Sequence, residues 1–140
     1  MGTVKKEDQK RFLNKNKACM IDDQNSTVCI DPSLPLLNLI GKKYTMMILG
    51  VIGNKGNRKN FNEILRDIPF SSSTIISRRL KELQDLSLIE RSDVAGGITY
   101  SLTRFGKDVR ESLLPLLHLT EKTSLDLITR RQDTDRSVHK

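Results

Sequence analysis

Ser73, Thr74, Ser77, Arg78 and Lys81 recur at the three- and four-residue spacing that lines up one face of a helix. Hydroxyls, a guanidinium and an ammonium in a row supply hydrogen-bond donors and acceptors but pair no nucleophile with a base. The chemistry they suit is recognition rather than bond breaking. A guanidinium can fork onto O6 and N7 of a guanine, and short hydroxyl side chains reach base edges or phosphates without filling the groove. The competing reading of such a face is plain solvation, the state of most charged helix surfaces.

The elements that must hold this face are written around it. Ile76, Leu80 and Leu83 form an apolar stripe about 180° from Thr74, Arg78, Lys81 and Asp85, and a run of serines precedes them that can cap the helix. Upstream, Phe61, Ile64, Leu65 and Ile68 fall at i, i+3, i+4 and i+7, the buried face of a helix that stops at Pro69. Two short amphipathic helices meeting at a tight serine-rich break, residues 60–91, spell a helix-turn-helix. Behind them, Leu88–Arg91 and Ile98–Leu102 read as two strands joined at Ala95–Gly97, with Ile89, Ile98 and Tyr100 expected to pack on Leu83 and Leu86. A hairpin directly after the second helix is the winged variant.

Composition agrees with a polyanionic partner. The 140 residues carry 24 Lys+Arg against 17 Asp+Glu, a formal net charge of +7. Aromatics are 4% and Trp is absent, which removes the stacking platforms of single-strand and RNA binders and favours double-stranded DNA. The length fits one domain. Enzymatic chemistry has little to stand on: the two histidines, His118 and His139, have no paired carboxylate, Ser/His or metal constellation near them in the sequence. No cofactor is expected. Cys19 and Cys29 lie ten residues apart without a zinc-ligand spacing, so two free thiols are the simplest expectation and a redox role for Cys29 the alternative. No apolar run approaches the ~20 residues of a membrane span, and no signal-peptide core is present, so a cytoplasmic protein without a membrane partner is expected.

Around the central motif the chain reads in segments. Residues 1–31 form a basic arm or dimerisation segment, of which 18–31 lack a helical period and suggest a linker or an extended stretch. Pro32–Ile52 is densely apolar and suggests two helical pieces hinged at Gly41, the first carrying Leu36, Leu37, Leu39 and Ile40, the second Tyr44, Met47, Ile48 and Val51. The GNKGNRKN stretch lacks the spacing of a phosphate-binding loop and reads as a turn. Lys42, Lys55, Arg58, Lys59 and Arg91 are candidates for contacts to DNA backbone. From Thr103 one long helix is expected, capped by that threonine and kinked at Pro115, with Leu113, Leu116, Leu117, Leu125 and Ile128 in excess of what a small core absorbs. Residues 103–130 are therefore expected to form a dimerisation helix, overlapping a winged domain at 32–120, and 131–140 a polar tail.

LNLIGKKYTMMIL, NFNEILRDIPFSSSTIISRRLKELQ, LSLIER and YSLTRFGK together resemble the HxlR-type winged helix-turn-helix transcriptional regulators, relatives of the MarR-like fold, over about residues 32–120. Tyr44 stands where the family has Trp. The resemblance implies a mainly α fold with a small β-hairpin wing and N- and C-terminal helices for dimerisation, each copy presenting a recognition helix to half of an inverted-repeat operator. It implies Ser72 as the cap of that helix, Ser73, Thr74, Ser77 and Arg78 as its groove-lining face, and Arg79 as a central arginine whose role is either structural or toward DNA. Asp31 occupies the place of the cysteine that some members use to sense oxidants, and the wing is short and lacks a basic tip. An effector ligand is left unknown. A winged helix used only as a protein-interaction adaptor is the alternative to a regulator.

Overall fold

The computed structural model describes residues 18–138 and divides the chain into two compact units, Met1–Lys42 and Lys43–Lys140. The division falls inside the segment 32–120 that the sequence suggests as one domain. The expected basic arm, residues 1–17, lies outside the described residues.

The first unit opens on an antiparallel hairpin, β1 (Cys19–Asp23) and β2 (Ser26–Ile30), where the sequence suggests a linker or extended stretch. Gln24, with φ 45°, makes the turn. Cys19 pairs with Ile30 and Met20 with Cys29, so strand alternation sends the two thiols to opposite faces, and both are free and exposed. Asp31 then closes a turn by accepting hydrogen bonds on Oδ1 from the Ser33 amide at 2.9 Å and hydroxyl at 2.7 Å. Helix α1 (Pro35–Ile40) follows with proline in its first turn, the position where a missing N–H costs nothing.

The second unit contains the core. Its elements are α2 (Thr45–Ile52), β3 (Lys59–Asn60), α3 (Phe61–Asp67), α4 (Ser73–Asp85), β4 (Ile89–Val94), β5 (Gly97–Leu102) and α5 (Arg104–Val138). Ile48, Leu49 and Ile52 of α2 are fully buried with Ile64, Ile76, Leu80, Leu83 and Leu88, and α2 touches α3, α4, α5 and β5. The buried face of α2 is thus Thr45, Ile48, Leu49 and Ile52 rather than the expected Tyr44, Met47, Ile48 and Val51; Met47 is exposed. TMMILGVI is apolar all round, so its periodicity does not choose a face. Tyr44, at φ 74°, sets the entry to α2.

Thr45 is a fully buried polar side chain of this core, and among the described residues its Oγ1 has no hydrogen-bond partner. Burying a hydroxyl unpaired costs on the order of 1–3 kcal/mol, whereas valine has the same shape without that cost. Thr45→Val is expected to raise the urea midpoint, by about 1 kcal/mol of stability at unchanged m-value. A lowered midpoint would show that the hydroxyl is satisfied in solution.

The wing is a three-stranded antiparallel sheet in the order β3-β5-β4. Val94 pairs with Gly97 across a two-residue turn, and Lys59, Tyr100 and Arg91 stand side by side across the three strands. Ile89 and Leu102 are buried at the base, but Ile98 is exposed near the tip and does not join the core as the sequence suggests. Helix α5 begins where expected: Thr103 Oγ1 accepts from the Gly106 amide at 2.9 Å and donates to the Ser87 carbonyl at 2.6 Å. It contains Pro115 and runs through residues 131–138, where a frayed tail is expected from the sequence.

Candidate nucleic-acid interface

Helix α4 is held from both ends and from below. Ser72 Oγ accepts from the Ile75 amide at 3.3 Å, so the expected cap is in place, and Ile76, Leu80 and Leu83 anchor the helix in the core. The opposite face is open: Ser73, Thr74, Ser77, Arg78 and Lys81 are all exposed. Helix α3, which supports it, starts with a reciprocal cap, Asn60 Oδ1 accepting from the Glu63 amide at 2.8 Å and Glu63 Oε1 from the Asn60 amide at 3.1 Å. The Asn-x-x-Glu spelling of that cap is legible in NFNE.

The basic residues separate into two groups. Arg79 is largely covered: its Nε donates to the Lys43 carbonyl at 3.1 Å and Nη1 pairs with Glu82 at 2.8 Å, tying α4 to the entrance of α2. Lys59 pairs with Asp67 and so ties β3 to the end of α3. Arg78, by contrast, makes no ion pair among the described residues, because the carboxylate one turn away, Glu82, is taken by Arg79. Lys55, Arg58, Lys81 and Arg91 are exposed in the same unit, and Lys42 is exposed at the end of the other.

On the C-terminal helix, Leu113 and Leu117 are half-buried while Leu116 and Leu125 are exposed, as are Leu119 and Leu127. The side chain of Ile128 lies outside the described residues. An apolar groove of about 390 Å³ runs between α2, the end of α3 and α5, lined by Met47, Val51, Ile68, Leu114 and Leu117 among others. At one end Arg110 reaches back to α2, with Nε donating to the Gly50 carbonyl at 3.0 Å. Nothing in the sequence pattern announces this groove. Among the described residues no cluster of His, Cys, Asp or Glu is placed to hold a metal, and no helix is long and apolar enough to cross a membrane.

A capped helix presenting short polar and basic side chains, supported by a second helix and followed by a three-stranded wing, defines a winged helix-turn-helix of the kind found in transcriptional regulators. Comparison with known proteins specifies which. The HxlR-like helix-turn-helix family model matches residues 39–126, and the chain belongs to that family of transcriptional regulators. It is 38% identical over 84 residues to the uncharacterized HTH-type transcriptional regulator YdzF of Bacillus subtilis (strain 168), covering 58% of this chain and 72% of that protein. It is also similar to the crystal structure of a possible HxlR family transcriptional factor from Thermoplasma volcanium GSS1, with 47% identity and a TM-score of 0.72 over 76% of this chain and 97% of that one. The reduced form of the transcriptional regulator YodB from B. subtilis is 26% identical with a TM-score of 0.54, over 62% and 86% of the two chains.

Proposed function

We propose that this regulator acts as a homodimer that binds sequence-specifically to an inverted-repeat operator in double-stranded DNA, each copy placing α4 in a major groove. The observation that carries this reading is the exposed row of Ser73, Thr74, Ser77, Arg78 and Lys81 on a helix whose other face is locked in the core. Ser72 fixes the start of the helix and Arg79 its angle, while Lys55, Arg58 and Arg91 contact phosphates flanking the groove, with Lys42 and Lys59 as further backbone contacts. Dimerisation is supported by the leucines of α5, since Leu116 and Leu125 present apolar surface that a single copy leaves in water. Leu113, Leu117 and Ile128 complete that interface.

Genomic footprinting is the deciding experiment. Protected sites should contain two half-sites related by a dyad, their centres separated by about one helical turn, ~10 bp, or a small multiple. Sedimentation of the full chain at micromolar concentration should give a dimer. Protection without a shared sequence, or a monomer that persists when concentration is raised tenfold, would overturn the reading in favour of a protein-interaction adaptor.

A further inference from the structure

The apolar groove between α2, the end of α3 and α5 has no part in the DNA interface described above. Its walls all belong to the second unit: Met47 and Val51 come from α2, Ile68 from the end of α3, Leu114 and Leu117 from α5. Leu116 and Leu125, which carry the dimerisation reading, are absent from its lining. Its volume of about 390 Å³ falls within the range of about 300–1,000 Å³ that small-molecule sites occupy. Apolar walls left in water favour an occupant.

The charges at the groove say what that occupant carries. Asp67 and Arg110 are the charged side chains of its lining, and Asp67 is already paired with Lys59, which stands outside it. Arg110 makes no ion pair among the described residues. Its Nε donates to the Gly50 carbonyl at 3.0 Å and its Nη2 to Asn54 Oδ1 at 3.4 Å, both neutral acceptors, and Nη1 donates to nothing among those residues. The guanidinium is also held in place, because the stem of Arg110 lies across Gly53, where any Cβ would collide with it. A second cation is close by: Lys43 Nζ lies 5.0 Å from the centroid of the Tyr44 ring, and Tyr44 lines the groove. A wholly apolar cover, such as the leucines of a second copy, would strip water from the guanidinium without pairing it, which is costly. A carboxylate on an apolar body satisfies both the walls and the charge.

We propose that this groove binds a small apolar monocarboxylic acid, its body against Met47, Val51, Leu114 and Leu117 and its carboxylate accepting from Arg110 Nη1. The site goes beyond the DNA-binding reading and does not depend on it. A flat ring suits it, since the Met47 thioether takes favourable contacts with aromatic rings.

The test is calorimetric titration of the full chain with sodium cinnamate and with cinnamamide, the uncharged counterpart of nearly the same shape. The parent should bind cinnamate saturably at one site per chain, and cinnamamide about tenfold more weakly or less. Arg110→Gln should bring cinnamate down to the level of cinnamamide and leave cinnamamide unchanged. Gly50→Leu fills the groove from inside α2, at a position where a Cβ meets nothing within 4 Å, and should abolish binding of both while keeping the parent's circular dichroism spectrum. If either variant fails to fold, the other variant and the parent's preference for the anion decide. The assignment is overturned if the parent binds neither compound or binds both equally, or if folded Arg110→Gln or Gly50→Leu keeps the parent's affinity for cinnamate. Dissociation of a dimer by Gly50→Leu would overturn it too, giving the groove to a second copy.

Discussion

Gly106→Ala is expected to cost about 3 kcal/mol or more and to lower Tm by about 10 °C, as measured by thermal denaturation. A Cβ built at Gly106 falls 1.9 Å from the Leu88 carbonyl oxygen and 2.9 Å from its carbon, closer than any real contact. Neither side can yield cheaply. The Leu88 carbonyl accepts from the Thr103 amide at 3.1 Å, and Gly106 itself is held by the Thr103 hydroxyl, so α5 is pressed onto the residue preceding β4 by its own cap. Gly50→Ala is the matched control, because a Cβ there meets nothing within 4 Å and the residue lies inside α2. Alanine at that position should stabilise by about 0.5–1 kcal/mol through helix propensity. Equal responses of the two variants would refute the close approach of α5.

The second large effect concerns Arg78. On the proposed operator, Arg78→Ala should lose about 1–3 kcal/mol in each half-site, roughly tenfold to a hundredfold, while binding to random duplex falls far less. The reason lies in its neighbours. Glu82 is occupied by Arg79, so the Arg78 guanidinium stays exposed and keeps its donors for a partner outside the chain. Arg58→Ala is the contrasting variant. An exposed cation that touches only phosphate should weaken all sequences alike and flatten the logarithmic salt dependence by about one unit. Titrations of both variants at several salt concentrations separate the roles, and equal losses on operator and random DNA would remove Arg78 from the base-reading set.

The sequence shows some of these features plainly and hides others for physical reasons. The stripe Ile76, Leu80 and Leu83 is legible because polar residues flank it, and the Ser72 cap and Thr103 cap follow from local side-chain chemistry that needs no distant partner. Helix α2 is legible as a helix but not in its orientation, since every face of it is apolar. Strand β3 is two residues long and exists through its pairing with β5, forty residues away, a contact that Lys59 and Asn60 do not announce. The hairpin Cys19–Ile30 alternates too weakly for its period to show. In the candidate site, pattern alone cannot say whether Glu82 pairs with Arg78 or Arg79, because both spacings are allowed on a helix. What decides is the Lys43 carbonyl, which draws Arg79 down beside Glu82 and leaves its neighbour to solvent.

Helix α5 runs 35 residues from its cap, and its contact with Leu88 lies at the third of them. Arg110, Leu114 and Leu117 seat it further against α2 and the end of α3, so the projecting part begins beyond Leu117 and, at 1.5 Å per residue, spans about 32 Å. The geometry is that of a lever: a tilt of about 5° at the Leu117 end of the groove carries the far end through about 3 Å, roughly one base-pair step along a duplex. In a pair of copies joined through this helix as proposed, half-site spacing would follow from how firmly residues 106–117 are seated on α2 and the end of α3.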